Sequence, residues 1–287
     1  MSALRFESVS LAGNERPRLA NVDLELAQGE CAFLIGPNGA GKSSILRLAL
    51  GLEKPDQGLV WLGEQRVDAL DAKRRAARVA WLPQQLSFEQ ALTACDVVAA
   101  ARYRFGESNT RAHARAHEWL AQVQAADLAD RRVTQLSGGE LQRVKLAALL
   151  AQEAPLLLLD EPANHLDPAY QLEVYRLLGA QWLLGLGILC VTHDINLVSL
   201  LPSPERIRLF GVQRGELRFV TSYADPALCQ KLGDLYGIEF EQIERTASSE
   251  GGEMTRRWFL PRSERGTETA PTGPPRATGS RLPREWR

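Results

Sequence analysis

The feature that most constrains this chain of 287 residues is a glycine-rich segment at positions 36–43, which fits the spacing G-x-x-x-x-G-K-S. It follows the apolar run Cys31–Ile35, which predicts a strand, and a helical pattern begins near Lys42. Glycines between a strand and a helix let backbone amides turn toward a phosphate, and the helix start adds partial positive charge. We therefore predict a phosphate-binding loop in which Lys42 reaches the β- and γ-phosphates of a nucleotide.

The whole loop is expected to contact the nucleotide, with the Ser43 hydroxyl as a ligand of Mg²⁺ and Ser44 as a further phosphate contact. The predicted nucleotide-binding positions in this segment are Gly36, Pro37, Asn38, Gly39, Ala40, Gly41, Lys42, Ser43 and Ser44. An ordinary glycine-rich turn between a strand and a helix is the alternative interpretation.

Short apolar runs alternate with helical patterns along the chain, which favours a mostly parallel sheet flanked by helices. Strands are predicted at residues 4–11, 22–27, 31–35, 59–62, 79–82, 156–159 and 187–191, and a hairpin at 206–210 and 216–220 around a turn at 211–215. Residues from about 88 to 152 have a helical pattern and no convincing strand. This block predicts a helical subdomain inserted between strands of the sheet.

Two acidic residues follow the all-apolar run at 156–159, which has the character of a strand buried on both faces. The carboxyl ends of strands in α/β sheets are where ligands bind, so Asp160 is predicted to hold Mg²⁺ directly or through water. Glu161 is placed to take a proton from an attacking water molecule. Two solvated acids at a strand end are the alternative, and the nearby phosphate loop makes that interpretation weaker.

A second glycine-rich helix start lies at residues 136–140, with the sequence Leu-Ser-Gly-Gly-Glu. Ser137 and Glu140 have the spacing of a capping box, which explains the serine and the glutamate structurally. It does not explain Gly138 and Gly139, each of which weakens a helix by roughly 1 kcal/mol relative to alanine. Bare amides at a helix start bind anions, so Ser137, Gly138 and Gly139 are predicted to contact a γ-phosphate.

Composition excludes several classes of protein. The net charge of −1 gives no general attraction to nucleic acid, so no nucleic acid partner is expected. The four cysteines match no metal or redox spacing, and the longest apolar stretch, at 182–191, is far shorter than a membrane span. Residues 247–287 are rich in Ser, Gly, Pro, Thr and Arg, and we predict a disordered tail there after a domain at 1–246.

The ordered set of motifs resembles the ATP-binding-cassette (ABC) ATPases over about residues 4–243. The motifs that carry the resemblance are the loop at 36–43, Gln84, the segment 136–140, Asp160-Glu161, the turn ending at Asp167, and His193. The resemblance implies a P-loop NTPase core of the α/β class, with a mostly parallel sheet, an antiparallel β subdomain and an inserted α-helical subdomain. It also implies ATP and Mg²⁺ as cofactors and ATP hydrolysis as the activity.

The resemblance assigns roles to residues that would otherwise look structural. Gln84 is similar to the glutamine that senses the γ-phosphate and Mg²⁺, and it would flex against the transport partner. His193 is similar to the switch histidine that contacts the γ-phosphate and positions the water. Asp167 is similar to an aspartate that acts across the dimer interface, although its position before a proline also fits a helix N-cap. The catalytic set is therefore Glu161, His193, Gln84 and Lys42.

The same resemblance implies a homodimer in which two ATP molecules are each held between the phosphate loop of one copy and the Ser137 segment of the other. It further implies integral-membrane permease subunits, indirectly an extracytoplasmic substrate-binding protein, and a location on the cytoplasmic face of the plasma membrane. The wording of the motifs is similar to importers of iron–siderophores, haem and cobalamin, and related metal-ion importers use similar wording.

The chain departs from the family pattern in one place, because the stretch at 10–14, where an aromatic residue usually stacks on adenine, contains none. A leucine or arginine contact, or an aromatic residue elsewhere, is expected to substitute. Two other functions remain as alternatives: a cassette ATPase that acts on ribosomes or DNA without a transporter, and a P-loop kinase of small metabolites. Stimulation of hydrolysis by nucleic acid would favour the first alternative, and transfer of phosphate to an acceptor would favour the second.

Overall fold

The computed structural model describes residues 1–84, 92–249 and 252–262. The strands are β1 Ser2–Leu11, β2 Leu19–Ala27, β3 Cys31–Ile35, β4 Gln57–Leu62, β5 Gln65–Arg66, β6 Val79–Leu82, β7 Leu156–Asp160, β8 Gly187–Val191, β9 Arg208–Gln213, β10 Glu216–Ser222, β11 Phe240–Ser249 and β12 Gly252–Pro261. The α-helices are α1 Lys42–Ala49, α2 Ala72–Ala76, α3 Ala94–Ala100, α4 Asn109–Gln122, α5 Gly138–Leu150, α6 Pro168–Leu183 and α7 Leu228–Tyr236.

The central sheet has six strands in the order β10-β9-β3-β8-β7-β6. Strands β9, β3, β8, β7 and β6 run parallel to one another, and β10 is antiparallel to β9. Every residue of β3, β7 and β8 is buried, which is why these strands are apolar throughout and do not alternate. Because the strands are parallel, the segments that follow β3, β6, β7 and β8 meet at one edge of the sheet.

A separate antiparallel sheet, in the order β2-β1-β4-β5, covers one face of this arrangement. Burial alternates along β2, as expected for a strand with one solvated face. Its apolar side shares a core with α1 and the central strands, including Phe6, Leu24, Ile45 and Leu158. The two sheets therefore enclose the helix that follows the phosphate loop. The sheet pattern confirms the predicted α/β class with an antiparallel β portion.

Helices α3, α4 and α5 form the helical part of the chain between β6 and β7. Arg102, only 3% exposed, is paired with Glu107 at 2.8 Å and with Glu153 at 2.8 Å, so this buried cation has its charge compensated. The predicted start of the subdomain, near residue 88, lies outside the described residues. Its predicted end at about 152 falls just after α5, which ends at Leu150.

The prediction of a disordered tail from residue 247 is wrong for residues 247–249 and 252–262. Strands β11 and β12 pair in register from Phe240 opposite Pro261 to Ser249 opposite Gly252. Phe259 is 1% exposed and packs edge-on against Tyr223, with the ring centroids 5.5 Å apart. One anchored aromatic residue and a continuous backbone ladder hold this hairpin, and neither produces the apolar periodicity by which order is usually recognised. The rest of the predicted tail, 263–287, lies outside the described residues.

The hairpin of β9 and β10 also differs in detail from its prediction. Strand β9 continues to Gln213, so Gly211 belongs to the strand and the turn is made by Arg214 and Gly215, both with positive φ. A side chain at Gly211 would lie 2.5 Å from the ring of Phe219. The glycine at this position therefore allows close packing across the hairpin and does not mark the turn.

Candidate functional site

The phosphate loop begins with a backbone that only glycine can occupy. Gly36 has a φ of +145°, and a Cβ at this position would overlap the carbonyl oxygen of Val212 on β9. Its amide donates a hydrogen bond of 3.1 Å to the hydroxyl of Tyr236 at the end of α7. The start of the loop is thus held between the neighbouring strand and α7.

The other end of the loop is held just as closely. Gly41 has a φ of +107°, and a Cβ there would lie 2.7 Å from the carbonyl oxygen of Arg18 and 2.8 Å from the Leu19 side chain. The amide of Gly215, in the turn between β9 and β10, donates a 2.9 Å hydrogen bond to the carbonyl of Ala40. By contrast, Gly39 has a φ of +73° with nothing within 4 Å of its Cβ position. The middle of the loop at Gly39 is therefore open, and both of its ends are fixed by contacts with the rest of the chain.

Lys42 starts α1 with its ammonium turned back into the loop. The Nζ atom donates hydrogen bonds to the carbonyls of Gly36 at 2.6 Å and Pro37 at 2.9 Å, and the residue is 5% exposed. Burial lowers the pKa of this amine, while Glu161 and Asp160 act in the opposite direction. A buried ammonium held by two loop carbonyls, beside the loop amides, is positioned to pair with phosphate oxygens.

The carboxylate of Asp160 lies at the end of β7, next to this lysine. Burial raises the pKa of Asp160, and the hydroxyl of Ser43, together with the charges of Lys42 and His193, partly offsets that effect. The residue is 8% exposed. A serine hydroxyl beside a buried carboxylate is an oxygen-rich pair of the kind that Mg²⁺ prefers.

Glu161 is the centre of the cluster, and its backbone is unusual. Its φ is +53°, which is rare for a residue other than glycine and accompanies a sharp turn after β7. Its Oε2 atom accepts hydrogen bonds from the Gln84 amide at 2.9 Å and the Asn164 amide at 2.6 Å. Its Oε1 atom contacts Nε2 of His193. The carboxylate is therefore oriented by three polar side chains that come from three different segments.

His193 follows β8 and lies within a short, tightly bonded turn. The amide of Asp194 donates to the Thr192 hydroxyl at 3.2 Å, and that hydroxyl donates to the Asp194 carbonyl at 3.2 Å. The Asp194 carboxylate in turn accepts from the amide of Asn196 at 2.9 Å, which caps the 3-10 helix that follows. These contacts fix the backbone on both sides of the histidine.

The Ser137 segment has the predicted capping box. The Ser137 hydroxyl accepts from the Glu140 amide, and the Glu140 carboxylate accepts from the Ser137 amide at 2.8 Å. Arg131 also binds the Glu140 carboxylate at 2.7 Å. Among the described residues, no hydrogen bond or ion pair joins this segment to the cluster around Glu161. The segment is brought to the surface of its own chain instead.

The two glycines of this segment face different surroundings. A Cβ on Gly138 would meet nothing within 4 Å, whereas a Cβ on Gly139 would lie 2.6 Å from the ring of Tyr170 on α6. Gly139 therefore allows α5 and α6 to approach closely, and Gly138 leaves the helix start open to solvent.

Asp167 is the N-cap of α6. Its carboxylate accepts hydrogen bonds from the amides of Ala169 at 3.0 Å and Tyr170 at 3.1 Å. The capping interpretation thus holds for this residue. The side chain is exposed to solvent, so the geometry also leaves it available to a second chain.

Two residues of the site were not identified from the sequence. The side-chain amide of Asn164 donates to the Glu161 carboxylate at 2.6 Å. Asn164 lies in the turn that ends at Asp167, three residues after Glu161, and this short spacing is the sequence feature that could have indicated the contact. Tyr236 binds the first glycine of the phosphate loop although 200 residues separate the two. No local pattern in the sequence indicates that contact.

The turn between β1 and β2 lies against the phosphate loop through the Arg18 carbonyl and carries no aromatic side chain. Arg18 bonds the Ala12 carbonyl at 3.1 Å and pairs with Glu53 at 3.1 Å. The neighbouring Arg16 is exposed. An arginine substitute for the missing aromatic residue therefore stays a prediction, with Arg16 and Arg18 as exposed candidates.

Comparison with known proteins gives consistent results. Residues 19–164 match the family described as ABC transporter, which is about half of the chain. Over 205 residues the chain is 40% identical to the hemin import ATP-binding protein HmuV of Bordetella parapertussis, covering 67% of this chain and 78% of the relative. Over 196 residues it is 38% identical to the zinc import ATP-binding protein ZnuC of Pseudomonas fluorescens, covering 68% of this chain and 69% of the relative.

The fold is shared with the dimeric structure of a post-hydrolysis state of an ATP-binding cassette bound to ADP and Pi. The TM-score is 0.69 at 28% identity, and the match covers 77% of this chain and 99% of that chain. Within the described ranges, no helix combines the length and the apolar character needed to cross a bilayer. With the phosphate loop, the acidic pair after β7 and the histidine after β8 at one sheet edge, this chain belongs to the ABC transporter family and is one of its ATP-binding, ATP-hydrolysing subunits.

Proposed function

We propose that two copies of this chain bind two ATP molecules between them, hydrolyse them, and thereby drive import through a membrane transporter. In each site, the loop at 36–44 of one copy holds the phosphates, and Ser137, Gly138 and Gly139 of the other copy close over the γ-phosphate. Glu161 accepts a proton from the attacking water, and His193 and Gln84 orient the reacting groups. Asp167 lies at the contact between copies.

The observation that carries this proposal is the contrast between a polar cluster assembled around Glu161 and an open helix start at Ser137 that, within the part of the chain the structure describes, has no hydrogen bond or ion pair to that cluster. A helix start with a bare, solvent-facing Gly138 is suited to bind an anion supplied from outside. A symmetric pair of copies satisfies both halves at once, because each chain offers one complete loop and one open helix start.

Mg²⁺ fits the residues present near the phosphate loop. The hydroxyl of Ser43, the carboxylate of Asp160 and the side-chain oxygen of Gln84 form an all-oxygen set, as this hard cation prefers. A divalent cation there supplies charge neutralisation for the phosphates. Burial raises the pKa of Asp160. The positive charges of Lys42 and of a bound cation act in the opposite direction and favour the ionised carboxylate.

The transported material is proposed from the relatives, which are named as import proteins for hemin and for zinc. A metal chelate such as haem, or a metal ion, is the proposed cargo of the transporter that this chain powers. The permease subunits would lie in the plasma membrane, with this chain on its cytoplasmic face and a substrate-binding protein on the other side. Conformational change at Gln84 and the helical part of the chain would pass ATP-dependent closure to the permease.

The shared-site mechanism is tested with Glu161→Gln. We expect hydrolysis to fall by about 10²–10⁴-fold, since the general base is lost, while ATP still binds. Gel filtration with ATP and Mg²⁺ should then show a stable dimer. Glu205→Gln, a change at an exposed glutamate outside the site, is the matched control and should hydrolyse ATP normally. A monomeric Glu161→Gln protein with bound ATP would contradict the mechanism.

The transport assignment needs a separate measurement. The tagged chain should co-purify from membranes with an integral-membrane permease, and that permease should raise its ATPase rate in reconstituted vesicles. Activation by ribosomes or DNA in the absence of any membrane association would contradict the assignment.

A further inference from the structure

The last part of the described chain reaches the nucleotide site from two sides. We define the C-terminal brace as α7 together with the hairpin of β11 and β12. One end of this brace contacts the phosphate loop, and the other end contacts the segment that follows His193. None of the described side chains of the brace bonds to the cluster around Glu161.

The first contact is made by Tyr236 in the last turn of α7. Its hydroxyl accepts the hydrogen bond from the Gly36 amide at 3.1 Å. The same turn is bonded to β9, because the side-chain amide of Gln213 donates to the Leu235 carbonyl at 2.7 Å. Gly36 lies against the carbonyl of Val212, the residue before Gln213. Helix α7 therefore restrains the first residue of the phosphate loop directly and also through the neighbouring strand.

The second contact joins the hairpin of β11 and β12 to Asn196, in the segment that follows His193. The side-chain amide of Asn196 donates to the Phe259 carbonyl at 3.2 Å, and its oxygen accepts from the Phe259 amide at 2.7 Å. This two-point pairing fixes both the position and the direction of the Asn196 side chain. Asn196 is also the residue whose own amide is capped by Asp194, directly after His193. The hairpin is thus three residues away from the histidine along a bonded turn.

The hairpin is itself fixed to the body of the protein. Tyr223 donates to the Arg257 carbonyl at 2.9 Å and packs on Phe259, while Arg257 donates to the Ala224 carbonyl at 3.1 Å. At the other end, the rings of Tyr236 and Phe240 are 5.9 Å apart, which connects α7 to β11. The two contacts with the site therefore belong to one continuous element.

We infer that the C-terminal brace sets the spacing between the phosphate loop and His193, with Tyr236 and Asn196 as positioning residues that act through the Gly36 amide and the Phe259 backbone. This inference rests on the proposed roles of Lys42 and His193. Tyr236 acts on nucleotide binding, because it holds the loop that grips the phosphates. Asn196 acts on turnover, because it holds the segment that carries the histidine.

The test is a pair of substitutions measured on the full chain in the same assay. Tyr236→Phe removes only the hydroxyl, and we expect the Kd for ATP to rise about threefold to tenfold, the effect of one ordinary hydrogen bond, with kcat little changed. Asn196→Ala should lower kcat by about fivefold to tenfold with the Kd for ATP unchanged. Asn196→Asp keeps the acceptor for the Phe259 amide but loses the donor, so its kcat should lie between those of Asn196→Ala and the unsubstituted chain.

Matched controls come from similar residues away from the brace. Tyr103→Phe removes an exposed hydroxyl, and Asn109→Ala changes an exposed asparagine at the start of α4; both should leave Kd and kcat unchanged. A purely structural role would instead lower the active fraction and the melting temperature, and would change both parameters together in each variant. That result, or unchanged parameters in Tyr236→Phe and Asn196→Ala, overturns the inference. Failure of the shared-site mechanism is recognised separately, by the oligomeric state of Glu161→Gln.

Discussion

Two glycine-rich segments lead into helices in this chain, the phosphate loop before α1 and the Ser137 segment before α5, and they are built differently. The phosphate loop is enclosed by its own chain: Gly36 lies against Val212, Gly41 lies against Arg18, and Lys42 is 5% exposed. The Ser137 segment has its capping box, the Arg131 contact to Glu140 and the packing of Gly139 on Tyr170, whereas Gly138 faces open space. Similar local sequences therefore serve an internal site in one case and a surface in the other.

Under the proposed shared-site mechanism, the difference shows how a chain divides one binding site between two copies. A loop that must hold a polyanion in a fixed shape needs support from several strands, and only its own fold can provide that support. A helix start that arrives when a second copy docks must stay exposed until then. Gly139, packed on Tyr170, secures the helix position, so that Gly138 is free to be presented outward.

The largest expected effect is at the enclosed segment. Gly36→Ala places a methyl group on the Val212 carbonyl in a backbone conformation that alanine avoids, so we expect the free energy of unfolding to fall by more than about 4 kcal/mol. Gly39→Ala, also at positive φ but in open space, should lose only about 1–2 kcal/mol. Urea denaturation of both variants measures the difference. Equal losses would show that the loop is not enclosed as described.

The second prediction separates the two glycines of the exposed segment. Gly138→Ala should leave the free energy of unfolding unchanged or raise it by up to about 1 kcal/mol, since alanine favours a helix. Its ATPase rate should nevertheless fall by about tenfold to a hundredfold, because the added methyl group crowds the surface that is proposed to meet the second copy.

Gly139→Ala should show a larger loss of stability than Gly138→Ala. Its methyl group meets the ring of Tyr170 at 2.6 Å, and overpacking of this kind costs about 1–3 kcal/mol. Thermal unfolding and ATPase assays on both variants decide the matter. If Gly138→Ala hydrolysed ATP normally, the open helix start would have no part in catalysis.

The third prediction concerns the carboxylate at which the two segments are proposed to meet. In Asn164→Ala, Glu161 loses one of its two amide donors, so kcat should fall about tenfold while ATP affinity is kept. Asn164→Asp should fall further, because it places a second negative charge beside Glu161. Steady-state kinetics with an independent measurement of ATP binding tests this. A loss of affinity without a change in kcat would contradict a role in orienting Glu161.

The smallest expected effect is at Asp225, just before α7, the helix that bonds the phosphate loop. Asp225, which bonds Lys231 at 2.6 Å and the Ala227 amide at 2.8 Å, has its pKa lowered to about 2, chiefly by the hydrogen bond from Lys231. Because the pKa is lower in the folded state, this carboxylate stabilises the fold above its ordinary pKa near 3.9, and that contribution is lost as the pH falls toward about 2. Asp225→Asn should therefore lower the free energy of unfolding at pH 7 by about 1 kcal/mol, the upper end of what an ion pair near the surface contributes.

The difference in the free energy of unfolding between Asp225→Asn and the unsubstituted chain should narrow as the pH is lowered below about 4. Denaturation midpoints from pH 7 to pH 3 measure it. Asp234→Asn, at an exposed aspartate on α7, is the control and should show a smaller difference. A gap that stays constant with pH would mean that the ion pair of Asp225 contributes nothing to stability.

Much of the fold was predictable because its signals are local. The bounds of β3, β6 and β8 follow from fully apolar runs, and the start of α1 follows from the loop that precedes it. The hairpin of β11 and β12 was not predicted because Phe259 is the one buried residue among its described side chains, and residues from 247 onward show no apolar periodicity. Within the site, the contact of Asn164 with Glu161 was not predicted, because it depends on the left-handed backbone conformation of Glu161.

The sequence by itself determined the chemistry of this protein: a phosphate loop, an acidic pair after an apolar strand, a capped glycine-rich helix start and a histidine after another strand. Each is a contiguous pattern whose physical requirements can be recognised from residue types and spacing. Only the tertiary structure decided that Gly138 faces outward while Gly139 packs on Tyr170. It also decided that Tyr236 on α7 bonds the phosphate loop and that Asn196, in the turn after β8, bonds the hairpin of β11 and β12. Those contacts join residues far apart in the chain, and they depend on how sheets and helices pack in three dimensions.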